Sequence, residues 1–415
     1  MSRLLRKLIY VIVKIRQKLC AQYNYIVKYR SQVKKIQSII DTRKANHKII
    51  SFVMCNAGQQ QFFEDIYNYS IEKKKDFYFF IVNDYLVNDN ERIKAFQELE
   101  FITPEVYRYL KRIDLALHAE IHCRSPQVKN VCFIGHGFPG KHTIWSSENL
   151  KSFNHYFMYG PRDRKILEFL NINNLSPINH ISFWEVGYPK YDKQLNNHID
   201  LELTKINLRI KTKKPIILYA PAWDPRGSLR SYGKQLFELM GSMADYNFII
   251  KLHPVSLVSK TSTDYEFYTG GVDWAQVVNH AVGHFDNLYF YTDRSINPLM
   301  KIADVMITDF SGVALGFFLE NKPVISIDCP EYFSKTLPEW GQDGNLSKSN
   351  ELFNNGRNAS HLITELDQLQ EMIRFVLENP NSLEAERQRI ATELLYNRGT
   401  GTEHAVKTIC SILNV

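Results

Sequence analysis

Four short stretches place chemically versatile side chains where apolar runs stop. In "FIGHGFPGKHT" (133–143) His136 stands between Gly135 and Gly137, with Lys141 downstream. "YAPAWD" (219–224) and "KLHP" (251–254, carrying His253) each follow an apolar run, and "ITDFSG" (307–312) joins Asp309, Ser311 and Gly312 to an apolar helical pattern reaching about Glu320. Histidine is the side chain whose ordinary pKa suits proton transfer near neutrality. Glycine lets a backbone turn sharply and lets a ligand approach. A helix start offers unsatisfied N–H groups and a positive dipole end to phosphate oxygens, and Ser311 would add a hydroxyl donor. Taken singly, each stretch also reads as an ordinary capped helix, a structural histidine or a glycine turn.

Other chemistries find less support. His118, Glu120 and His122 alternate in "DLALHAEIHC", but no second cluster accompanies them to complete a metal site. Neither "HGFPG" nor "CNAGQQQ" (55–61) has the spacing of a dinucleotide fingerprint or a P-loop, and G-x-S-x-G is absent from the sequence. Six scattered cysteines without a C-x-x-C pair favour a reducing compartment.

Elements of alternating type must hold these stretches. Residues 47–54, 76–83, 130–137, 155–160 and 183–187 read as short strands, with helical patterns at 89–100 and 161–172 between them. After the polar, lysine-rich stretch 193–214 the alternation restarts, with strands expected at 215–220, 246–253, 287–292, 303–309 and 322–328 and helices over 383–395 and from Glu403. Such βαβ order implies parallel sheets covered on both faces, and ligands of such sheets bind beyond the carboxyl ends of the strands. The four polar stretches lie at such ends.

At 415 residues the chain exceeds the usual size of one core, and 44% apolar content with 13% aromatics argues for a folded protein. Its net charge of +7 is unevenly distributed. Residues 1–48 carry 13 lysines and arginines against the single acid Asp41, which leaves 38 basic and 43 acidic residues elsewhere. Leu4, Leu5, Leu8, Ile9, Ile12, Ile15 and Leu19 recur between the cations at near-helical spacing. The longest uncharged apolar run, Leu8–Val13, is far short of the roughly 20 residues of a spanning helix, and Lys14, Arg16 and Lys18 stand where a signal-cleavage site would follow. The pattern predicts a basic amphipathic helix on an anionic membrane surface, and no nucleic-acid motif accompanies the charge.

Taken in order, "HGFPGK", "GYPKYD" (187–192), "YAPAWD", "KLHP" and "ITDFSG" resemble the HG-x-P-x-K, GYPR-x-D, YAPTW, R-x-HP and ITDYSS segments of the CDP-glycerol glycerophosphotransferases of teichoic-acid and capsule synthesis. The resemblance covers about residues 130–330. It implies an α/β fold of GT-B type, two Rossmann-like doubly wound domains facing a cleft, with residues 1–48 as the membrane-associating extension, 49–205 as the acceptor domain and 206–415 as the nucleotide-donor domain. By match, His136 and His253 take the family's two functional histidine positions, and Gly137, Lys141, Pro221, Trp223, Asp309, Ser311 and Gly312 the donor-phosphate positions. We assign His136 the general-base role, exchangeable with His253. The implied reaction passes an alditol phosphate, most simply glycerol phosphate, from a CDP-alditol to a hydroxyl of a lipid-linked glycan, releasing CMP. Its expected place is the cytoplasmic face of the membrane, peripherally bound. No cofactor is required, Mg²⁺ stays open, and so does homo-oligomer formation. Departures from the pattern are Phe138, Gly140, Ala222, Asp224 and Gly312. They keep open a different alditol, or a GT-B glycosyltransferase acting on a nucleotide sugar.

Overall fold

Runs of β-branched and aromatic residues with no polar alternation form strands buried on both faces, and here they build two parallel sheets. The computed structural model describes residues 23, 28–55, 57–83, 94–121, 124–125, 127–138, 150–173, 178–293 and 295–415. Its chain divides into two compact units, one of residues 1–134, 152–155 and 409–415, the other of residues 135–151 and 156–408.

In the first unit, β1 (Lys48–Met54), β2 (Phe77–Asn83), β3 (Phe101–Ile102), β4 (Leu115–His118) and β5 (Asn130–Phe133) run parallel in the order β3-β2-β1-β4-β5. Phe52 of β1 stacks on Phe63 at 4.6 Å and on Phe79 at 4.9 Å between ring centroids. Two helices of this unit are α1 (Arg30–Arg43) and α2 (Gln61–Glu72). Helix α1 lies within the basic N-terminal segment, yet Val33, Ile36 and Ile40 are buried. The Gln37 side chain exchanges hydrogen bonds with the Lys111 backbone, and Asp41 pairs with Arg112. Protein therefore covers the apolar stripe of this portion, which leaves only residues before it for the expected lipid contact. Residues 1–22, where the amphipathic anchor is expected, lie outside the described residues.

His118 closes β4 fully buried, with Nε2 2.8 Å from the Ser125 hydroxyl and Phe153 edge-on to its ring. Burial pushes its pKa down to about 3, so the imidazole is neutral. His122 lies outside the described residues.

The second unit opens with β6 (His155–Met158), α3 (Pro161–Ile172) and β7 (Ser182–Glu185). Its own sheet holds β8 (Ile216–Tyr219), β9 (Asn247–Ile250), β10 (Leu288–Phe290), β11 (Val305–Thr308), β12 (Val324–Ile327) and β13 (His361–Ile363), all parallel in the order β10-β9-β8-β11-β12-β13. That is the Rossmann order, which reverses between β8 and β11. Helices α4 (Ser228–Ser242), α5 (Trp274–His284), α6 (Val313–Phe318), α7 (Glu384–Leu394) and α8 (Gly401–Leu413) complete the elements used below. Tyr219, Phe237, Phe248 and Trp274 lie at the centre of this unit's core.

The strand expectations sit on the right residues but run too long, because the polar residues at their carboxyl ends belong to the following loops. Three differences are larger. The helix expected over 89–100 is, in its described part, a 3₁₀ turn at Lys94–Phe96 ahead of β3. The polar stretch 193–214 contains a helix, Leu201–Leu208, started by the Asp200 carboxylate accepting from the Leu203 amide. The helix expected to reach Glu320 ends at Phe318, a single short element.

Candidate functional site

The candidate residues with described positions, from His136 to Gly312, all belong to the second unit. Where its strand order reverses, the ends of β8 and β11 are tied together. Ala220 N–H donates to the Ile307 carbonyl, and the Thr308 hydroxyl donates to the Ala220 carbonyl at 2.7 Å. Asp309 follows, buried, with Oδ1 accepting from the Ala222 amide and Oδ2 from both the amide and the hydroxyl of Ser228 at 2.9–3.0 Å. Burial raises the Asp309 pKa, and these hydrogen bonds act in the opposite direction. Expected among the phosphate-binding residues, Asp309 instead fixes the YAPAWD loop and the start of α4. A carboxylate turned onto backbone amides does not face a phosphate.

The loop around His136 rests on an aromatic box. The Tyr159 and Tyr188 rings stack at 4.0 Å, and the Tyr159 hydroxyl hydrogen-bonds the Gly137 amide and the Tyr188 hydroxyl. Phe138 packs edge-on against both tyrosines and lies nearly parallel to Tyr191 at 5.5 Å. Burial pushes both Tyr159 and Tyr188 well above the ordinary phenol value, so they stay neutral supports and do not serve as bases. Gly135 has φ +69°, the left-handed conformation that glycine adopts without strain, and His136 is exposed beyond it. At Gly137 a β-carbon would meet nothing within 4 Å, so any need for glycine there is not steric crowding by the fold.

This loop reaches the ITDFSG turn. A β-carbon on Gly312 would lie 3.1 Å from the Phe138 carbonyl oxygen and 3.9 Å from Asn355 Oδ1. Asn355 donates to the Phe310 carbonyl at 2.7 Å, while its Oδ1 is buried without a hydrogen-bond partner. Phe310 stacks on Tyr332 at 3.4 Å. The part-exposed Ser311 thus stands on a turn braced from both sides, beside the His136 loop.

His253 lies beyond β9, exposed, its Nδ1 accepting from the Val255 amide at 3.3 Å, which leaves Nε2 as the nitrogen pointing away from the backbone turn. Pro221 is buried in the loop after β8, and Trp223 is part-exposed, packed against Tyr268 at 5.1 Å and Trp340 at 5.9 Å. The aspartate of "GYPKYD", Asp192, accepts from the Gly401 and Thr402 amides and so caps α8, a structural use of that motif position. Lys141 lies outside the described residues.

Sequence reasoning missed the supports. Tyr159 and Asn355 carry no motif signal, and Tyr188 stands in "GYPKYD" with nothing to show its partner, because only the tertiary fold brings these residues to the loop.

In a Rossmann-ordered parallel sheet ligands bind beyond the carboxyl ends of the strands, and the histidine, serine and glycine loops of this chain stand at those ends. Residues 163–335 match the family described as CDP-glycerol:poly(glycerophosphate) glycerophosphotransferase. The chain is 27% identical over 150 residues to a teichoic acid poly(glycerol phosphate) polymerase of Staphylococcus epidermidis, covering 34% of this chain and 18% of that protein. It is 26% identical over 155 residues to the polymerase of the same description from Bacillus spizizenii, covering 35% of this chain and 34% of that protein. The matches thus span at most about a third of these two relatives. Among solved structures, the wall teichoic acid polymerase TagF superposes with a TM-score of 0.65 at 14% identity, covering 97% of this chain and 98% of that one. The shared fold is the α/β arrangement of two parallel sheets anticipated from the sequence.

Proposed function

We propose that the protein is a transferase that passes glycerol phosphate from CDP-glycerol to a hydroxyl of a lipid-linked glycan, releasing CMP, in the synthesis of a teichoic-acid-like polymer. The observation that carries this reading is the contact between the His136 loop and the Gly312 turn. It sets a histidine beside a serine-bearing turn at the carboxyl end of a Rossmann-ordered sheet. The family match over residues 163–335 supports the donor class.

In this reading the acceptor O–H loses its proton to His136 as its oxygen attacks the β-phosphorus of CDP-glycerol. A new P–O bond forms, the bond from that phosphorus to the bridging oxygen breaks, and CMP leaves with the electron pair. His253, with the Ser311 hydroxyl and the Gly312 amide, would meet the charge on the phosphoryl oxygens. The two histidines can exchange roles. Charge stabilisation is assigned to protein donors, with no metal required. The acceptor is held at the cytoplasmic face of the membrane, with residues before α1 as the attachment. Among the described residues no helix is long and apolar enough to cross a membrane.

The test is a donor screen with purified protein and a lipid-linked acceptor. Acceptor-dependent CMP release from CDP-glycerol is the expected result. Release of a nucleoside diphosphate from a nucleotide sugar, with none of CMP, would replace phosphotransfer by glycosyl transfer on the same fold.

A further inference from the structure

Two glycines of α4 set how α5 packs on it. A β-carbon on Gly233 would stand 2.6 Å from the Trp274 ring, and one on Gly241 would collide with the ring of Phe285. One ring stands at the start of α5 and the other just past its end, so the two helices are pinned at both ends by an aromatic ring lying on the α4 backbone. The pins are about 12 Å apart along α4. Between them the helices leave a cavity of about 570 Å³, a size that accepts a small molecule.

The floor of this groove is apolar. Phe237 is 1% exposed and Ala281 8% exposed, and the part-exposed Val277 and Phe285 complete it. Alanine at 281 leaves open the space that a larger apolar side chain would fill. The mouth is polar, with Lys234 and Glu238 on α4 and His280 and His284 on α5, all four exposed. The two imidazoles are one helical turn apart, their rings 5.4 Å between centroids and 17° from parallel. Among the described residues Lys234 and Glu238 form no ion pair and neither histidine makes a hydrogen bond, so these groups are not committed to holding the helices together. None of the candidate residues from His136 to Gly312 lines the groove.

A purely polar ligand would leave the floor against water, and a purely apolar one would desolvate the mouth without replacing its hydrogen bonds. Three nitrogen-bearing side chains against one carboxylate favour a head rich in acceptors and negatively charged. We propose that the groove between α4 and α5 binds a single-chain anionic amphiphile. Its apolar chain lies on Phe237, Val277, Ala281 and Phe285, and its phosphate or carboxylate head meets Lys234, His280 and His284. This site is independent of the donor assignment, because it shares no residue with the candidate site.

The probe is decyl phosphate below its aggregation concentration, titrated calorimetrically into the full chain. Wild type binds it. Lys234→Glu, a change at an exposed position, lowers the affinity by about tenfold or more, and His280→Ala combined with His284→Ala by about tenfold. Val277→Trp fills the groove from its open side and abolishes binding, with a melting temperature no lower than that of wild type. Decanol and decyltrimethylammonium bind at least about tenfold more weakly than decyl phosphate. Absence of binding to wild type overturns the proposal, as does wild-type affinity in either Val277→Trp or Lys234→Glu. Decyltrimethylammonium binding as tightly as decyl phosphate would remove the anionic head from the recognition and overturn it too. So would full displacement of the probe by an equal concentration of inorganic phosphate, which would remove the apolar chain. Should Val277→Trp melt lower than wild type, Lys234→Glu decides alone.

Discussion

The carbonyl oxygen of Phe138 and the α-carbon of Gly312 approach so closely that a β-carbon at Gly312 would stand 3.1 Å from that oxygen. Both residues depart from the family pattern, one replacing threonine and the other serine, and the contact makes them one departure. A bulky Phe138 anchored on Tyr191 brings its carbonyl onto the turn, and glycine makes room. Gly312→Ser should therefore displace the His136 loop by a few tenths of an ångström and lower kcat by about tenfold. Adding Phe138→Thr, which frees the loop from the Tyr191 ring, should recover most of the loss. Losses that simply add in the double variant would show that the two positions are independent.

Substitution of either exposed histidine tests the chemistry. His136→Ala and His253→Ala should each lower acceptor-dependent CMP release by about a hundredfold or more, the range for loss of a proton-transfer or phosphate-contacting group. A drop of only a few-fold in both would dismiss the site assignment.

Asp309→Ala removes the acceptor for three donors at once, the Ala222 amide and the amide and hydroxyl of Ser228. With each unsatisfied buried donor costing about 1–3 kcal/mol, this variant should be among the least stable single substitutions in the second unit. Urea denaturation reads the effect. A midpoint equal to wild type would mean that water replaces the carboxylate without cost.

Lys190 and Lys251 imply a pH dependence of stability with a definite sign. Both ammonium groups are lowered to about 8 in the folded chain, chiefly by burial, against 10.5 for an unperturbed lysine. Between those values the unfolded chain holds more protons, so the protein should gain stability as pH rises through the window. A urea midpoint that stays flat or falls between pH of about 8 and about 10 would contradict this.

The proposed membrane attachment falls to the residues before α1, because Val33, Ile36 and Ile40 are core. Deleting residues 2–22 should abolish binding to liposomes containing anionic lipid while leaving the melting temperature unchanged. Retained flotation with such liposomes would place the attachment elsewhere. A deletion reaching residue 40 would instead be expected to destabilise the first unit.

Sequence by itself determined the alternation of buried strands and amphipathic helices, since each is written in local periodicity, and it marked the loops where histidine, serine and glycine stand at strand ends, since these are legible one stretch at a time. It could not show β3 or β13, which at two and three residues are too short to carry a period. Nor could it separate a phosphate ligand from a brace. Asp309 looked like a site residue and Asp192 stood in a motif segment, yet their carboxylates are committed to the amides of Ala222 and Ser228 and of Gly401 and Thr402. Only the tertiary structure decided that Phe138 would meet Gly312 and that Asp309 would turn onto Ser228. Those contacts join residues far apart in the chain, and their energies come from packing and burial that no local pattern encodes.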